Sequence, residues 1–256
     1  MKKRVEELTI IDKQALRSDY IFWEIKSDQA FDNITPGQFI NVQVKDSPTT
    51  FVRRPFSIHT IDYKKNSIQF MMKVVGDGTK ALSNLNIGDS MDVVFPLGNG
   101  FTISDEEEAL LVGGGYGIAP LYHIALELIA KGKKPYFLFG ARTESDFILL
   151  EKFKALSELF ITTEDGSLGQ KGRVTDHPVW KEKITSIQKI YTCGPEPMME
   201  AVAHLAEENN ILCEASLDQV MGCGIGVCLT CVKKTVRGNE ATCIHGPVFN
   251  TKDIIW

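Results

Sequence analysis

Positive charge is in short supply in this 256-residue chain: 33 Asp and Glu outweigh 28 Lys and Arg, for a formal net charge of -5. Binding a phosphate backbone needs clustered cations, so nucleic acid is not the expected partner. Histidine is scarce as well, with five residues scattered along the sequence, each read as structural or surface. No catalytic base stands out, and Gly166-Ser167-Leu168-Gly169 is not a nucleophile elbow. An uninterrupted apolar run is also missing. The one long apolar stretch, 109–130, carries four glycines, Pro120, His123 and Glu127, which a lipid-facing helix would not tolerate. The opening MKKRVEELTI places acidic residues where a secretory signal has its apolar segment. No membrane association and no export are expected, which implies a cytoplasmic location. Internal repeats and low-complexity tracts are absent.

What remains is ordinary soluble composition, 43% hydrophobic and 24% charged. The length suits two domains, or two with a small appendage. Up to residue 100 the chain reads as short β-strands, at 20–26, 38–44, 56–61, 67–75 and 90–95, separated by turns such as Pro36-Gly37 and Gly88-Asp89. This spacing suggests a small antiparallel barrel. Residues 96–100 followed by the acidic run 105–108 read as a linker. From Ala109 strands alternate with helices: strands at 110–112, 135–139, 160–163, 186–192 and 211–216, helices at 119–130, 147–156 and 196–208. That rhythm points to a parallel sheet with crossover helices. The last 36 residues have too little apolar surface to fold alone and need another source of order, such as a metal cluster. The expected domains are 1–100, 101–217 and 218–256.

Six cysteines in an unexported chain point to metal or redox chemistry rather than disulfides. Four of them, Cys223, Cys228, Cys231 and Cys243, have the Cys-x4-Cys-x2-Cys spacing with a distal fourth Cys that suits a [2Fe-2S] cluster. Gly222, Gly224 and Gly226 let the loop wrap closely and aim N–H groups at sulfur. The alternative is a tetrahedral zinc site, normally built from two Cys-x-x-Cys knuckles; only one is present. Cys213 reads as a buried small hydrophobe.

Arg53-Arg54-Pro55-Phe56-Ser57 offers a guanidinium for a pyrophosphate and a hydroxyl for a flavin ring or ribityl chain. Alone, such a motif is more often a solvated strand edge. The turn Gly76-Asp77-Gly78-Thr79, ending one strand and opening a helix, is a candidate anion cradle, or else a plain hairpin turn. Gly113, Gly114, Gly115 and Gly117 lie between a strand and a helix, where an open parallel sheet binds pyrophosphate, although they do not match Gly-x-Gly-x-x-Gly. Cys193-Gly194-Pro195-Glu196-Pro197-Met198 repeats that placement, putting Cys193 near a nicotinamide as the candidate catalytic residue. Glu164 and Asp165 would bond ribose hydroxyls and repel a 2′-phosphate, favouring NAD over NADP, with Arg142 as the counter-signal.

With Arg-x-x-Ser, GGGxGIAPL, Cys-Gly-Pro-x-Pro-Met and the cysteine loop in this order, nearly the whole chain resembles the ferredoxin reductase family. Within it, the likeness is to electron-transfer subunits of NAD-dependent (class 1B) dihydroorotate dehydrogenase. The resemblance implies an α+β multidomain, ferredoxin-reductase-like fold: a barrel holding FAD, an α/β domain holding NAD and a small [2Fe-2S] domain. It carries FAD onto Arg54, Pro55, Phe56 and Ser57, onto Met71, Met72 and Lys73, and onto Gly78 and Thr79. Phe56 stands where the broader family often has a Tyr stacked on the flavin. The implied partner is an FMN-containing catalytic subunit, two of each chain forming a heterotetramer. This subunit would carry electrons from dihydroorotate oxidation to NAD+ in pyrimidine synthesis. Rival readings are the small subunit of an NADH-dependent ferredoxin:NADP oxidoreductase or sulfide dehydrogenase, a hydrogenase diaphorase subunit, and a zinc-stabilised binding protein without redox function. In the bifurcating relatives the first cluster ligand can be Asp, so Cys223 favours the dihydroorotate system.

Overall fold

The structure is a computed structural model that describes residues 3–103 and 108–256. The acidic stretch 105–107, read as part of a linker, lies outside the described residues. Two compact units emerge. The first comprises Met1–Gly100, Gln219–Lys233 and Glu240–Pro247; the second comprises Phe101–Asp218, Lys234–Asn239 and Val248–Trp256.

In the first unit, strands β1 (Arg4–Arg17), β2 (Tyr20–Lys26), β3 (Phe39–Val42), β4 (Arg54–Asp62), β5 (Ser67–Lys73) and β6 (Ser90–Leu97) form a closed barrel in the order β1-β2-β5-β4-β3-β6. Alternate residues point inward, and Leu8, Ile10, Trp23, Ile40, Phe70 and Met72 share its core. Each such side chain contributes about 1.5–3 kcal/mol on full burial. The five strands read from sequence are present. The sixth, β1, is missed because its segment is rich in residues that favour helices, and only Leu8 and Ile10 are buried within it. It is nonetheless the strand that closes the barrel: Arg4–Thr9 pairs with β6 and Thr9–Arg17 with β2. Helix α1 (Asp77–Ser83) follows β5.

The second unit contains β7 (Glu108–Gly114), α2 (Ala119–Ala130), β8 (Lys134–Ala141), α3 (Leu150–Lys154), β9 (Leu159–Thr163), β10 (Gln170–Lys171), α4 (Val179–Glu182), β11 (Lys189–Cys193), α5 (Glu196–Glu208) and β12 (Leu212–Ser216). The C-terminal segment, divided between the two units, holds β13 (Val232–Thr235), β14 (Gly238–Ala241), the turn α6 (Thr242–His245) in the first unit and β15 (Val248–Asn250) in the second. The sheet order is β10-β9-β8-β7-β11-β12-β15. All neighbours pair in parallel except β15, which runs antiparallel to β12 at the edge. Helices α2 and α5 match the sequence reading to the residue. By contrast α3 covers only the middle of the helix expected at 147–156, because Leu149 takes a left-handed φ of 60° just before it.

The segment read as a linker at 96–100 is built into the first unit. Pro96 and Leu97 end β6, the Asn99 N–H donates to Gly246 O, and its side-chain Nδ2 donates to the carbonyls of Ile244 and His245, each at 3.1 Å. Gly98 has a φ of +73°, and a Cβ there would lie 2.5 Å from Pro247 Cδ. The glycines that suggested a loose connection are required by close packing.

Candidate functional site

The cysteine loop packs on the outside of β3. Ile40 and Val42 point into the barrel, so Phe39 and Asn41 point out, and Phe39 shares a second core with Leu97, Met221, Cys231, Ala241 and Cys243. All four residues of β3 are therefore buried. Left-handed turns at Gly224 (φ +71°) and Gly226 (φ +88°) fold the loop back on itself. As a result three backbone N–H groups, from Ile225, Val227 and Cys228, converge on Cys223 Sγ at 3.3–3.4 Å. The Cys223 N–H donates to Cys228 Sγ at 3.3 Å, and the Cys243 N–H to Cys231 Sγ at 3.4 Å. Hydrogen bonds from the Thr230 hydroxyl and from backbone groups hold the Cys228 thiol down to about 6, whereas burial and neighbouring Cys231 push Cys243 up to about 12.

Among the described residues, no three His, Cys, Asp or Glu side chains are grouped to hold one metal ion. The sulfurs stand instead as the pairs Cys223 with Cys228 and Cys231 with Cys243, a donor set that fits two irons with two thiolates each.

The flavin candidates gather along one seam of the barrel. Pairing between β4 and β5 ends at Ile58 and Phe70. Beyond it Arg54, Pro55, Phe56 and Ser57 pair only with β3, while Met71, Met72 and Lys73 pair only with β2. Two strand edges are thus left facing a gap, with backbone donors and acceptors available to a flat polar ligand. Side chains divide the work. Met72 belongs to the barrel core and offers only its backbone; Phe56 stacks on Phe70 at 5.2 Å and packs against that core; Lys73 pairs with Asp19 at 3.8 Å.

The two arginines separate clearly. Arg53 is bound to Asp92 through an ion pair of 2.8 Å and a bond to its carbonyl of 2.9 Å. Arg54 lies beside the start of α1, where a Cβ on Gly78 would fall 3.1 Å from its Nε and 3.1 Å from Thr50 Cγ2. That guanidinium next to the first helical N–H groups forms a cradle that fits a pyrophosphate. The Thr79 hydroxyl does not face it: this group accepts from the N–H of Val75 and Gly76 and donates to Gly76 O, holding the turn in shape.

In the second unit β7 and β11 are neighbours, with β8 and β9 extending to one side and β12 to the other. Strand order reverses there, and such a switch point opens a crevice at the C-terminal strand ends. Both Gly-rich turns lie at it, in the register Cys193 to Gly113. The four glycines have separate reasons. A Cβ would meet Ile118 at 2.7 Å on Gly113, Met198 Sδ at 2.6 Å on Gly114 and Cys193 O at 2.4 Å on Gly117, whereas Gly115 has φ +56° and open space around it. Three of the four therefore serve packing, and Gly115 is the one whose backbone a ligand can approach.

Burial, reinforced by Asp218, pushes the Cys193 thiol up to about 12, with Ser216 acting the other way. The expected catalytic role thus cannot run through an ionised sulfur at neutral pH. Asp165 accepts from the N–H and hydroxyl of Ser167 at 2.9 and 2.6 Å, which holds its carboxyl below the usual range. Glu164 is exposed beside it, following β9, two strands and about 10 Å across the sheet from β7. Sequence reasoning missed Asn41, Thr50 and the Tyr116–Asp218 pair, whose hydroxyl-to-carboxylate bond is 3.2 Å. Asn41 alone carried a signal, as a polar residue inside the apolar strand Phe39–Val42.

Residues 7–101 match the oxidoreductase FAD-binding domain, 111–204 the oxidoreductase NAD-binding domain, and 218–255 the iron-sulfur cluster binding domain of dihydroorotate dehydrogenase B. Dihydroorotate dehydrogenase B (NAD(+)) electron transfer subunits are similar over most of the chain. The one from Fusobacterium nucleatum is 34% identical over 98% of both chains, and the one from Bacillus pumilus 36% over 96% of both. The chain belongs to the family of dihydroorotate dehydrogenase B electron transfer subunits. That places it among flavin- and iron–sulfur-dependent oxidoreductase subunits and agrees with the expected FAD, NAD and [2Fe-2S] cofactors. Among solved structures, an NADH-dependent reduced ferredoxin-NADP oxidoreductase matches with a TM-score of 0.87 and 30% identity, over 98% of this chain and 90% of that one. A ferredoxin reductase of carbazole 1,9a-dioxygenase shares the fold, with a TM-score of 0.71, 21% identity, and 82% and 67% coverage. No helix among the described residues is long and apolar enough to cross a membrane.

Proposed function

We propose that the chain works in the cytoplasm as the electron-transfer subunit of dihydroorotate dehydrogenase B. It accepts electrons from an FMN-containing catalytic subunit that oxidises dihydroorotate, delivers them to NAD+, and forms a heterotetramer with two copies of each subunit. The cofactor segments are 1–100 for FAD, 101–217 for NAD and 218–256 for the cluster. When bound, these groups supply one-electron transfer at the cluster, exchange between single electrons and a hydride at FAD, and hydride acceptance at NAD+.

The chain's own residues hold and insulate them. Cys223, Cys228, Cys231 and Cys243 ligate iron, and the amides of Ile225, Val227 and Cys228 stabilise charge on the Cys223 sulfur. Arg54, Gly78 and the backbone of Thr79 take the flavin pyrophosphate, and the seam of 55–57 and 71–73 takes the ring. Gly115 admits the nucleotide, Gly113, Gly114 and Gly117 hold the two turns together, and Glu164 and Asp165 favour the 2′-hydroxyl of NAD. Cys193 contributes a buried neutral contact at the crevice.

The observation that carries this reading is that one compact unit includes both the β4–β5 seam and the four cysteines. Val220, Ile225, Val227 and Leu229 are 79, 45, 77 and 62% exposed on the cysteine segment. Apolar side chains displayed there suit a partner that must approach the cluster. Co-expression with an FMN-binding dihydroorotate-oxidising subunit is expected to give a complex with flavin and iron–sulfur absorption that reduces NAD+ with dihydroorotate. A colourless zinc protein, or pairing only with the large subunit of an NADH-dependent ferredoxin:NADP oxidoreductase, would refute the proposal. The likeness to the ferredoxin-NADP oxidoreductase structure makes the latter the outcome to exclude.

A further inference from the structure

Asn41 is fully buried on the outer face of β3, opposite Pro55 of the flavin seam. Its Nδ2 donates to the Cys223 carbonyl at 3.2 Å, across 182 residues of sequence. Its Oδ1 is buried and has no hydrogen-bond partner among the described residues. Among the described residues, the side-chain hydrogen bond of Asn41 thus goes to the cysteine segment and not to the barrel.

What it holds is the peptide linking Cys223 to Gly224. With that carbonyl turned toward Asn41, the chain goes through the left-handed Gly224 and presents the N–H groups of Ile225, Val227 and Cys228 to Cys223 Sγ. The fit is mutual, since a Cβ on Gly224 would fall 2.4 Å from Asn41 Nδ2. No other residue type fits at 224 while Asn41 keeps its place. Each N–H directed at a thiolate sulfur favours the more negative, reduced form of an iron–sulfur centre.

We propose that Asn41 is a positioning residue for the first cluster ligand: by fixing the 223–224 peptide it sets how many amides reach Cys223 and so sets the reduction potential of the cluster. This rests on the cluster assignment above and adds the residue that tunes it from β3, the strand beside the flavin seam.

The experiment is an EPR-monitored redox titration of the cofactor-loaded protein, together with the rate of iron loss to a chelator. Asn41→Ala is expected to keep its flavin absorption and flavin midpoint. Its cluster should be harder to reduce, with the ratio of reduced to oxidised cluster at fixed ambient potential falling about tenfold, equal to about 59 mV for a one-electron couple. Iron loss should quicken roughly 10-fold, as for other residues that orient metal ligands. Gly224→Ala is made both in the wild-type protein and in the Asn41→Ala background. It should disturb the cluster strongly while Asn41 is present and much less once Asn41 has been truncated, where the added methyl group has room.

An unchanged EPR spectrum and midpoint in Asn41→Ala, or additive effects of the two substitutions, overturns this inference alone. If Asn41→Ala cannot be loaded with iron, the Gly224→Ala protein decides: a wild-type midpoint there overturns it, and a lowered one supports it. A wild-type protein that assembles no iron–sulfur centre overturns both this inference and the cluster assignment.

Discussion

Replacing Arg54 by alanine should release flavin while leaving the barrel folded, and replacing the adjacent Arg53 should do the reverse. Arg53 makes two close contacts with Asp92, with both side chains under a quarter exposed. Without it, a mostly buried carboxylate loses its cation. Hydrogen bonds involving a charged group are worth about 1.5–3 kcal/mol, so Arg53→Ala is expected to cost about 2 kcal/mol. In a chain of this size that lowers the melting temperature by about 4–8 °C. Among the described residues, Arg54 bonds only to the nearby carbonyls of Val52 and Arg53, at 3.0 and 3.3 Å. Losing those contacts should change stability by less than about 0.5 kcal/mol. The same substitution removes a charge-assisted bond from the pyrophosphate cradle, and about 1.5–3 kcal/mol there raises the Kd for FAD about 10- to 150-fold. Arg54→Lys should fall between, keeping the charge but losing the planar fork. Flavin fluorescence quenching gives the affinity; melting at saturating FAD gives the stability without the contribution of flavin binding. If Arg53→Ala loses flavin at unchanged melting temperature while Arg54→Ala retains it, the assignment of the two arginines is wrong.

The nucleotide crevice should separate Gly115 from Gly117: a methyl on Gly117 meets the Cys193 carbonyl at 2.4 Å and should cost about 1–3 kcal/mol by overpacking, read in denaturant melts. Gly115→Ala has open space and should mainly weaken NADH binding, at about 1 kcal/mol of backbone strain; equal stability losses at both positions would contradict this. Cys228→Ser is expected to abolish the iron–sulfur absorption but spare NADH-driven reduction of artificial dyes through FAD, and simultaneous loss of both would make the cluster chiefly structural. Burial holds the His123 imidazole down to about 4, and Glu127, 3.9 Å away but 41% exposed, does not offset it. Its folded pKa is below the unfolded 6.5, so unfolding takes up a proton; stability is intact above about 6.5 and falls as the pH drops toward 4, by about 3 kcal/mol in all. His123→Leu should flatten that part of the acid denaturation curve, and an unchanged curve would show that other groups cause it.

Local patterns in the sequence were enough for the cysteine spacing, the alternation of strands and helices after residue 108, five barrel strands and the two Gly-rich turns. Each depends on neighbours within about twenty residues, where periodicity and turn chemistry act directly. Tertiary structure decided what depends on partners far along the chain. Strand β1 is a strand because β2 and β6 pair with it, against the helical leaning of its own residues. Residues 96–100 look like a linker by composition and are a packed cradle for the turn after Cys243. Arg53 and Arg54 cannot be told apart by type, and Asp92 and Gly78 distinguish them. The glycines at 113, 114 and 117 are dictated by side chains and backbone brought against them from other strands and helices, while Gly115 alone is set by its own dihedral angle. The cysteine spacing points to a cluster, but not to the Asn41 amide bonded to the Cys223 carbonyl, because hydrogen bonds across 182 residues leave no periodic trace in sequence.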